Sequence, residues 1–126
     1  MKTRWLDRRI AAPGPYLALC LSEAEFKAAM KHLQCNTDAA WIKNNHSHAT
    51  AHYLESPRGL TCVVCMRGYE GCNPVEVAGL LVHEAVHAWQ AYAESIGERN
   101  PGAEQEAYAV QAIAQELMAE FARRMT

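Results

Sequence analysis

Three ionisable side chains stand close together in GLLVHEAVHAWQAY, residues 79–92: His83, Glu84 and His87. The rest of the segment is almost wholly apolar. On a helix, residues four apart stack on one face, so the imidazoles of His83 and His87 can reach a single ion. Glu84 lies one step round, beside that ion without taking the same coordination position. Two neutral imidazoles are good zinc ligands, and a carboxylate next to zinc-bound water can take its proton. The pattern H-E-x-x-H is that of a hydrolytic zinc centre, with His83 and His87 as ligands and Glu84 as general base. Leu80, Leu81, Val82, Ala85, Val86 and Trp89 make the helix apolar nearly all round, which predicts a central, buried helix. Burying three polar groups without a partner is costly, and this favours a metal over three ordinary core residues.

A catalytic zinc takes three protein ligands and keeps one position for water. The third ligand is sought in AEQEAYAVQAIAQEL, residues 103–117. Ala103, Ala107, Val110, Ala114, Leu117 and Phe121 recur at alternating spacings of four and three, which is one face of a helix. Glu106 follows Ala103 by three and precedes Val110 by four, so it belongs to that side. Glu104 points roughly 160° away on a helical wheel. Glu106 is therefore the expected third ligand. Glu104 is the alternative, though a first-turn acid stabilised by the helix dipole is the better account of it.

The elements that position these groups can be read from their ends. Ser22 and Glu25 form a capping-box pair before a helix expected over about 23–32. Asn73, Pro74 and Glu76 supply N-cap, N1 proline and N3 glutamate, starting a helix that should run to about Ile96, before Gly97. A last helix is expected from Ala103 to the C-terminus. HATAHYLE and LTCVVCMR carry strand-favouring residues and flank the turn sequence SPRG, so they are read as a β-hairpin. TDAAWIKNN reads as a turn or helical fragment, and PGP at 13–15 as a break. The expected order is helix, hairpin, helix, helix: an α+β chain of one domain, 1–126, with a small antiparallel sheet.

His83, Glu84 and His87, with EAYA at 106–109, resemble the gluzincin branch of the zincin metallopeptidases. There an H-E-x-x-H helix gives two histidine ligands and the base, and a glutamate on a following helix completes the site. The resemblance covers about residues 74–118. It implies a minimal zincin-like fold, a Zn²⁺ cofactor and hydrolysis of a peptide or protein substrate. The short chain is similar to small H-E-x-x-H proteins encoded in phage and prophage genomes. A zincin site usually binds an extended peptide along a sheet edge. Either hairpin arm could be that edge. Tyr108, His52 and Tyr53 are candidates to stabilise the tetrahedral oxyanion. The competing expectation is a metal-binding structural or regulatory module acting through protein contacts. A structural zinc site has no need of a base at Glu84.

Other residues invite other chemistry. Cys62 and Cys65 form a C-x-x-C, with Cys72 seven residues on. A redox pair normally opens a helix, where the dipole lowers a thiol pKa. Here the pair sits in an expected strand, where residues three apart point to opposite faces, one sulfur inward and one toward solvent. Ordinary thiols explain it better. His46, His48 and His52 share a strand parity and would face one side, as a cleft wall or an adventitious metal site, though solvated hairpin histidines explain them better. Net charge is −2, so nothing argues for nucleic acid. RWLDRR is a small basic cluster, read as a solvated end. No apolar run reaches the ~18 residues of a membrane span. PYLALCL is too short and lacks signal-peptide flanks. Five cysteines, an odd number without secreted-scaffold spacing, point with this to a reducing cytoplasmic setting.

Overall fold

Local signals start the helices where expected in the computed structural model, which describes residues 2–6, 14–35, 38–44 and 46–126. Ser22 Oγ accepts from Glu25 N at 3.2 Å and opens α1, Glu23–His32. The Glu25 carboxylate accepts in return from Leu21 N at 3.3 Å. Asn73 Oδ1 accepts from Glu76 N at 2.9 Å, completing a reciprocal capping box at the start of α2, Pro74–Ser95. Gly97, just past the end of α2, has φ +75°, a left-handed conformation that glycine adopts without strain. The helix α3 spans Ala103–Arg124.

Three strands were to be placed, not two. YLALC forms β1, Tyr16–Cys20, which the sequence reading left unassigned. The hairpin is β2, Ala49–Ser56, and β3, Gly59–Met66. The sheet order is β1-β3-β2. β3 pairs parallel with β1, from Tyr16↔Thr61 to Cys20↔Cys65, and antiparallel with β2, from Ala49↔Met66 to Ser56↔Gly59. The sheet is therefore mixed, which corrects the expected purely antiparallel one. The fold is α+β, with three α-helices and three strands among the described residues. Residues 7–9 of RWLDRR, Pro13 of PGP, and Thr37 and Asn45 of TDAAWIKNN lie outside the described residues. What is described of TDAAWIKNN holds bends and a turn, with no helical fragment.

Both faces of the sheet are covered. Leu17, Leu19, Cys62, Val64 and Met66 pack against Leu81, Ala85 and Trp89 of α2 and Ile113, Ala114 and Leu117 of α3. On the other face Cys20, Val63 and Cys65 pack against Phe26, Ala29 and Met30 of α1. This double cover is why β3 reads as a nearly unbroken apolar run rather than an alternating one. It also corrects one detail of the C-x-x-C reading. Cys62 and Cys65 do point to opposite faces, but both are buried, because neither face is open to water. Burial pushes the Cys62 thiol up to about 12, with the charge of Glu84 adding to it.

The outer side of β1 is partly occupied by the N-terminal segment, through a bridge between Trp5 and Ala18 and a Leu6 N–H bond to Leu17 O of 3.2 Å. Among the described residues, no strand pairs with the outer edge of β2. The loop before β2 is tied to the end of β3. Arg67 donates to Ser47 O at 3.1 Å and to Asn44 O at 2.9 Å. Gly68, at φ +70°, lets His48 come close, since a Cβ there would lie 2.8 Å from His48 Nδ1. His46 and His48 belong to this loop, so the shared strand parity expected for three histidines applies to His52 alone. No described helix is long and apolar enough to cross a membrane.

Two carboxylates tie the end of α3 to the rest of the fold. Glu120, 3% exposed, accepts from Arg123 at 2.8 and 2.6 Å and from Arg4 at 2.9 Å. Its hydrogen bond to Arg123 holds the carboxyl below the usual range, although burial opposes this. Burial pushes the Glu25 carboxyl up, but the Arg124 guanidinium and the Leu21 N–H outweigh it and leave the group low. A carboxylate depressed in the folded state stabilises the fold above its unfolded pKa, and this is lost as pH falls through the folded value. The melting temperature is therefore expected to fall progressively below about pH 4.3. Glu120→Gln should be less stable than wild type at neutral pH and flatter in its acid response. Calorimetry of both proteins between pH 7 and pH 3 measures this, and identical acid slopes would show that the Glu120 cluster contributes nothing.

Candidate metal centre

The helix α2 has two sides to bury and a third that is exposed among the described residues. One side lies on the sheet, through Val77, Leu81 and Ala88. A second faces α3, through Ala85 and Trp89. His83 and His87 lie on the third side and are exposed. This corrects the expectation of a helix buried all round, and Val75 and Val82 are exposed as well. Of the three motif residues only Glu84 is buried, at 7% exposure.

The two histidines are brought together. Their ring centroids are 4.7 Å apart, edge to face. His87 Nδ1 is 3.1 Å from Gln90 Oε1. In the tautomer with its proton on Nδ1, His87 donates to that oxygen and Nε2 is the nitrogen with the lone pair. Glu84 points toward the sheet side, close enough to Tyr53, Cys62 and Lys43 for its charge to be felt there. Burial pushes the Glu84 carboxyl above the usual range, and the charges of His83, His87 and Lys43 pull the other way.

Glu106 is in the first turn of α3 and turns toward α2. Its Oε2 accepts from Trp89 Nε1 at 3.0 Å. Glu104 is exposed. Of the two glutamates, Glu106 is thus the one linked to the motif helix. It is nevertheless not gathered with the histidines. Among the described residues, no three His, Cys, Asp or Glu side chains stand close enough to hold a metal ion. The donor types fit zinc: two imidazoles on one helical face, and a carboxylate whose Oε1 has no part in the Trp89 bond. His83 and His87 are adjacent, while Glu106 is bonded to Trp89 apart from them. Glu106 also stands where two surface grooves meet. One, of about 590 Å³, is apolar and lined by Val82, Ala107, Val110, Ala114 and Met118. The other, of about 530 Å³, holds Gln90, Glu94, Glu98 and Arg99.

The three oxyanion candidates separate cleanly. His52 points to the opposite face of the sheet, where its ring packs on Phe26 at 4.6 Å and its Nε2 lies 3.1 Å from Trp41 O. It cannot serve a site on α2. Tyr108 is 64% exposed on α3. Tyr53 is on the α2 side of β2, and burial, then the charges of Cys62 and Glu84, push its hydroxyl well up, so it stays a donor. Three residues escaped the sequence reading. Lys43 comes from a loop that no local signal places near Glu84. Trp89 was counted among the apolar residues of the helix, and Gln90 was assigned no role. The i to i+3 spacing of His87 and Gln90 was the available sign for one of them.

The chain was compared with known protein families, with curated proteins and with solved structures, and it matches none of them.

Proposed function

We propose that this chain is a zinc-dependent metallopeptidase of minimal zincin-like fold, with His83, His87 and Glu106 as ligands and Glu84 as general base. One observation carries the reading: the motif carboxylate is buried while the two imidazoles beside it are open to solvent. A helix packed on a sheet for stability alone would bury an apolar residue at position 84. A buried carboxylate with a raised pKa next to two exposed metal-type donors is the arrangement a proton acceptor needs.

Zinc bound at this site would supply Lewis-acid polarisation of a carbonyl and a water of lowered pKa. The remaining work falls to the chain. Glu84 accepts a proton at its carboxylate and returns it to the leaving amine. The Tyr53 hydroxyl, on the same side, donates toward developing negative charge. The open edge of β2 offers backbone N–H and C=O groups to an extended peptide. The apolar groove beside Glu106 offers a seat for an apolar side chain.

The test is elemental analysis of the purified chain, with a peptide library assayed in parallel. About one zinc per chain is expected in wild type, lost in His83→Ala and Glu106→Ala. Zinc retained in Glu106→Ala but lost in Glu104→Ala would move the third ligand and keep the reading. A wild-type chain that binds no metal would end it.

A second reading has its own support. The donors are not gathered into a closed set, and the apolar groove along α2 and α3 is a surface a protein partner would cover. On that reading the chain is a metal-binding module of structural or regulatory kind. Zinc binding without hydrolysis of any library peptide would select it.

A further inference from the structure

We propose that the cavity between the N-terminal segment, the end of β1 and the last turn of α3 binds a doubly charged tetrahedral oxyanion, a phosphate group. The cavity has a volume of about 210 Å³, and Lys2, Thr3, Arg4, Glu25, Arg123 and Arg124 line it. It is wide enough for a phosphate group and narrow for anything much larger. Arg4 opens the basic cluster RWLDRR, which no part of the metal centre uses.

The charges around the cavity do not balance. Arg124 is paired with Glu25, and Arg123 and Arg4 share Glu120. With Lys2, four cations face two carboxylates, an excess of two positive charges in a chain whose net charge is −2. The excess is therefore local, and residues from the two ends of the sequence create it. Like charges held this close repel one another, and an anion of charge −2 cancels the excess.

The donors are placed and not used up. A guanidinium carries five N–H groups in a rigid fork that matches phosphate oxygens. Arg4 spends only Nε, on Glu120. Arg123 spends Nε and Nη2 on the same carboxylate, leaving Nη1. Lys2 makes no hydrogen bond or ion pair among the described residues. Thr3 Oγ1 is buried and, among the described residues, has no hydrogen-bond partner. Buried polar atoms are nearly always paired, so the Thr3 hydroxyl is a further donor to give an anion at this cavity. The two carboxylates act here as anchors. Each fixes a guanidinium before a ligand arrives, and charge-assisted bonds from such groups are the strong ones. The site does not depend on the zinc reading. Arg123 lies 17 residues beyond Glu106 on α3, roughly 25 Å along the helix axis.

The experiment is equilibrium dialysis of the full chain against radiolabelled inorganic phosphate, at a fixed ionic strength of roughly 0.1 M that screens long-range attraction. Saturable binding of about one phosphate per chain is expected, with a dissociation constant of about 1 mM or tighter. Lys2→Met keeps the apolar stem and deletes the charge. Because Lys2 ties nothing in the fold, this variant should melt at the wild-type temperature and bind phosphate roughly 10-fold more weakly. Arg4→Met should weaken binding at least as much. Arg58→Met removes the same charge at the turn between β2 and β3, at the other end of the sheet, and should bind as wild type does. Phenyl phosphate as competitor separates the sources. Displacement at equal or lower concentration assigns the site to the phosphoryl group of a larger molecule, and weaker or absent displacement assigns it to free phosphate. A wild-type chain without saturable phosphate binding would overturn the proposal. So would wild-type affinity in both Lys2→Met and Arg4→Met. An equal loss in Arg58→Met would reduce the effect to net charge and overturn it too.

Discussion

Glu84→Gln is expected to leave about one zinc per chain in place and to lower peptide hydrolysis roughly 10²- to 10⁴-fold. Glutamine has nearly the volume of glutamate, and the side chain at 84 is already buried, so the core is not disturbed. The amide cannot accept the proton that the carboxylate takes. It also relieves the desolvation that pushes the Glu84 carboxyl up, so the folded chain should be no less stable, and unfolding in urea checks this alongside the rate. The contrast with His83→Ala is the informative part. One substitution should remove turnover and keep the metal, the other should remove both. A Glu84→Gln protein as active as wild type would take the base away from Glu84 and leave the motif without its catalytic element.

The largest effect on stability is expected at Leu117. It is fully buried where α3 crosses the sheet, in the same cluster as Leu17 and Leu19 of β1 and Leu81 of α2. Leu117→Ala deletes methyl groups that this closed layer cannot refill, at a cost of about 2–5 kcal/mol. For a chain of this size each kcal/mol is roughly 3–6 °C in melting temperature. Urea titration should show a lower midpoint with an unchanged slope. A cost below about 1 kcal/mol would mean that α3 is not seated on the sheet as described. Because Glu106 sits on the same helix, a loosened α3 should also weaken zinc binding without touching any ligand.

Helix boundaries were the most legible feature of the sequence, because caps are local. Ser22, Asn73, Pro74 and Gly97 act on the few residues next to them, and α1 begins, and α2 begins and ends, where they indicate. The hairpin was legible for the same reason, from a turn between two β-favouring runs. β1 was not. Tyr-Leu-Ala-Leu-Cys is an apolar run too short for a period, and only its partner, β3, makes it a strand. That partner lies more than forty residues away in sequence.

The site shows the same division. The spacing of His83 and His87 is a property of one helix, and their rings do face each other. Their exposure is a property of the whole fold. Composition made the helix look buried all round, but a chain with one neighbouring helix and a three-stranded sheet covers only two of its sides. Among the described residues the third stays exposed. Helical periodicity set Glu106 apart from Glu104, and it is Glu106 that bonds to Trp89 of α2, away from the histidines. What Glu106 touches depends on how the loop 96–102 sets α3 against α2, and no residue pattern within α3 encodes that.

The burial of the cysteines has a use of its own. Cys20, Cys62 and Cys65 are sealed between layers, two facing α1 and one facing α2 and α3, while Cys35 and Cys72 are half-buried. None is in a disulfide. A thiol-labelling reagent would therefore see two populations, a pair that reacts early and a trio that waits for the sheet to open. Counting labels by mass against time turns the chain into its own stopwatch. The rate at which the trio is consumed reads the frequency with which both layers lift from the sheet, without a denaturant or an engineered cysteine.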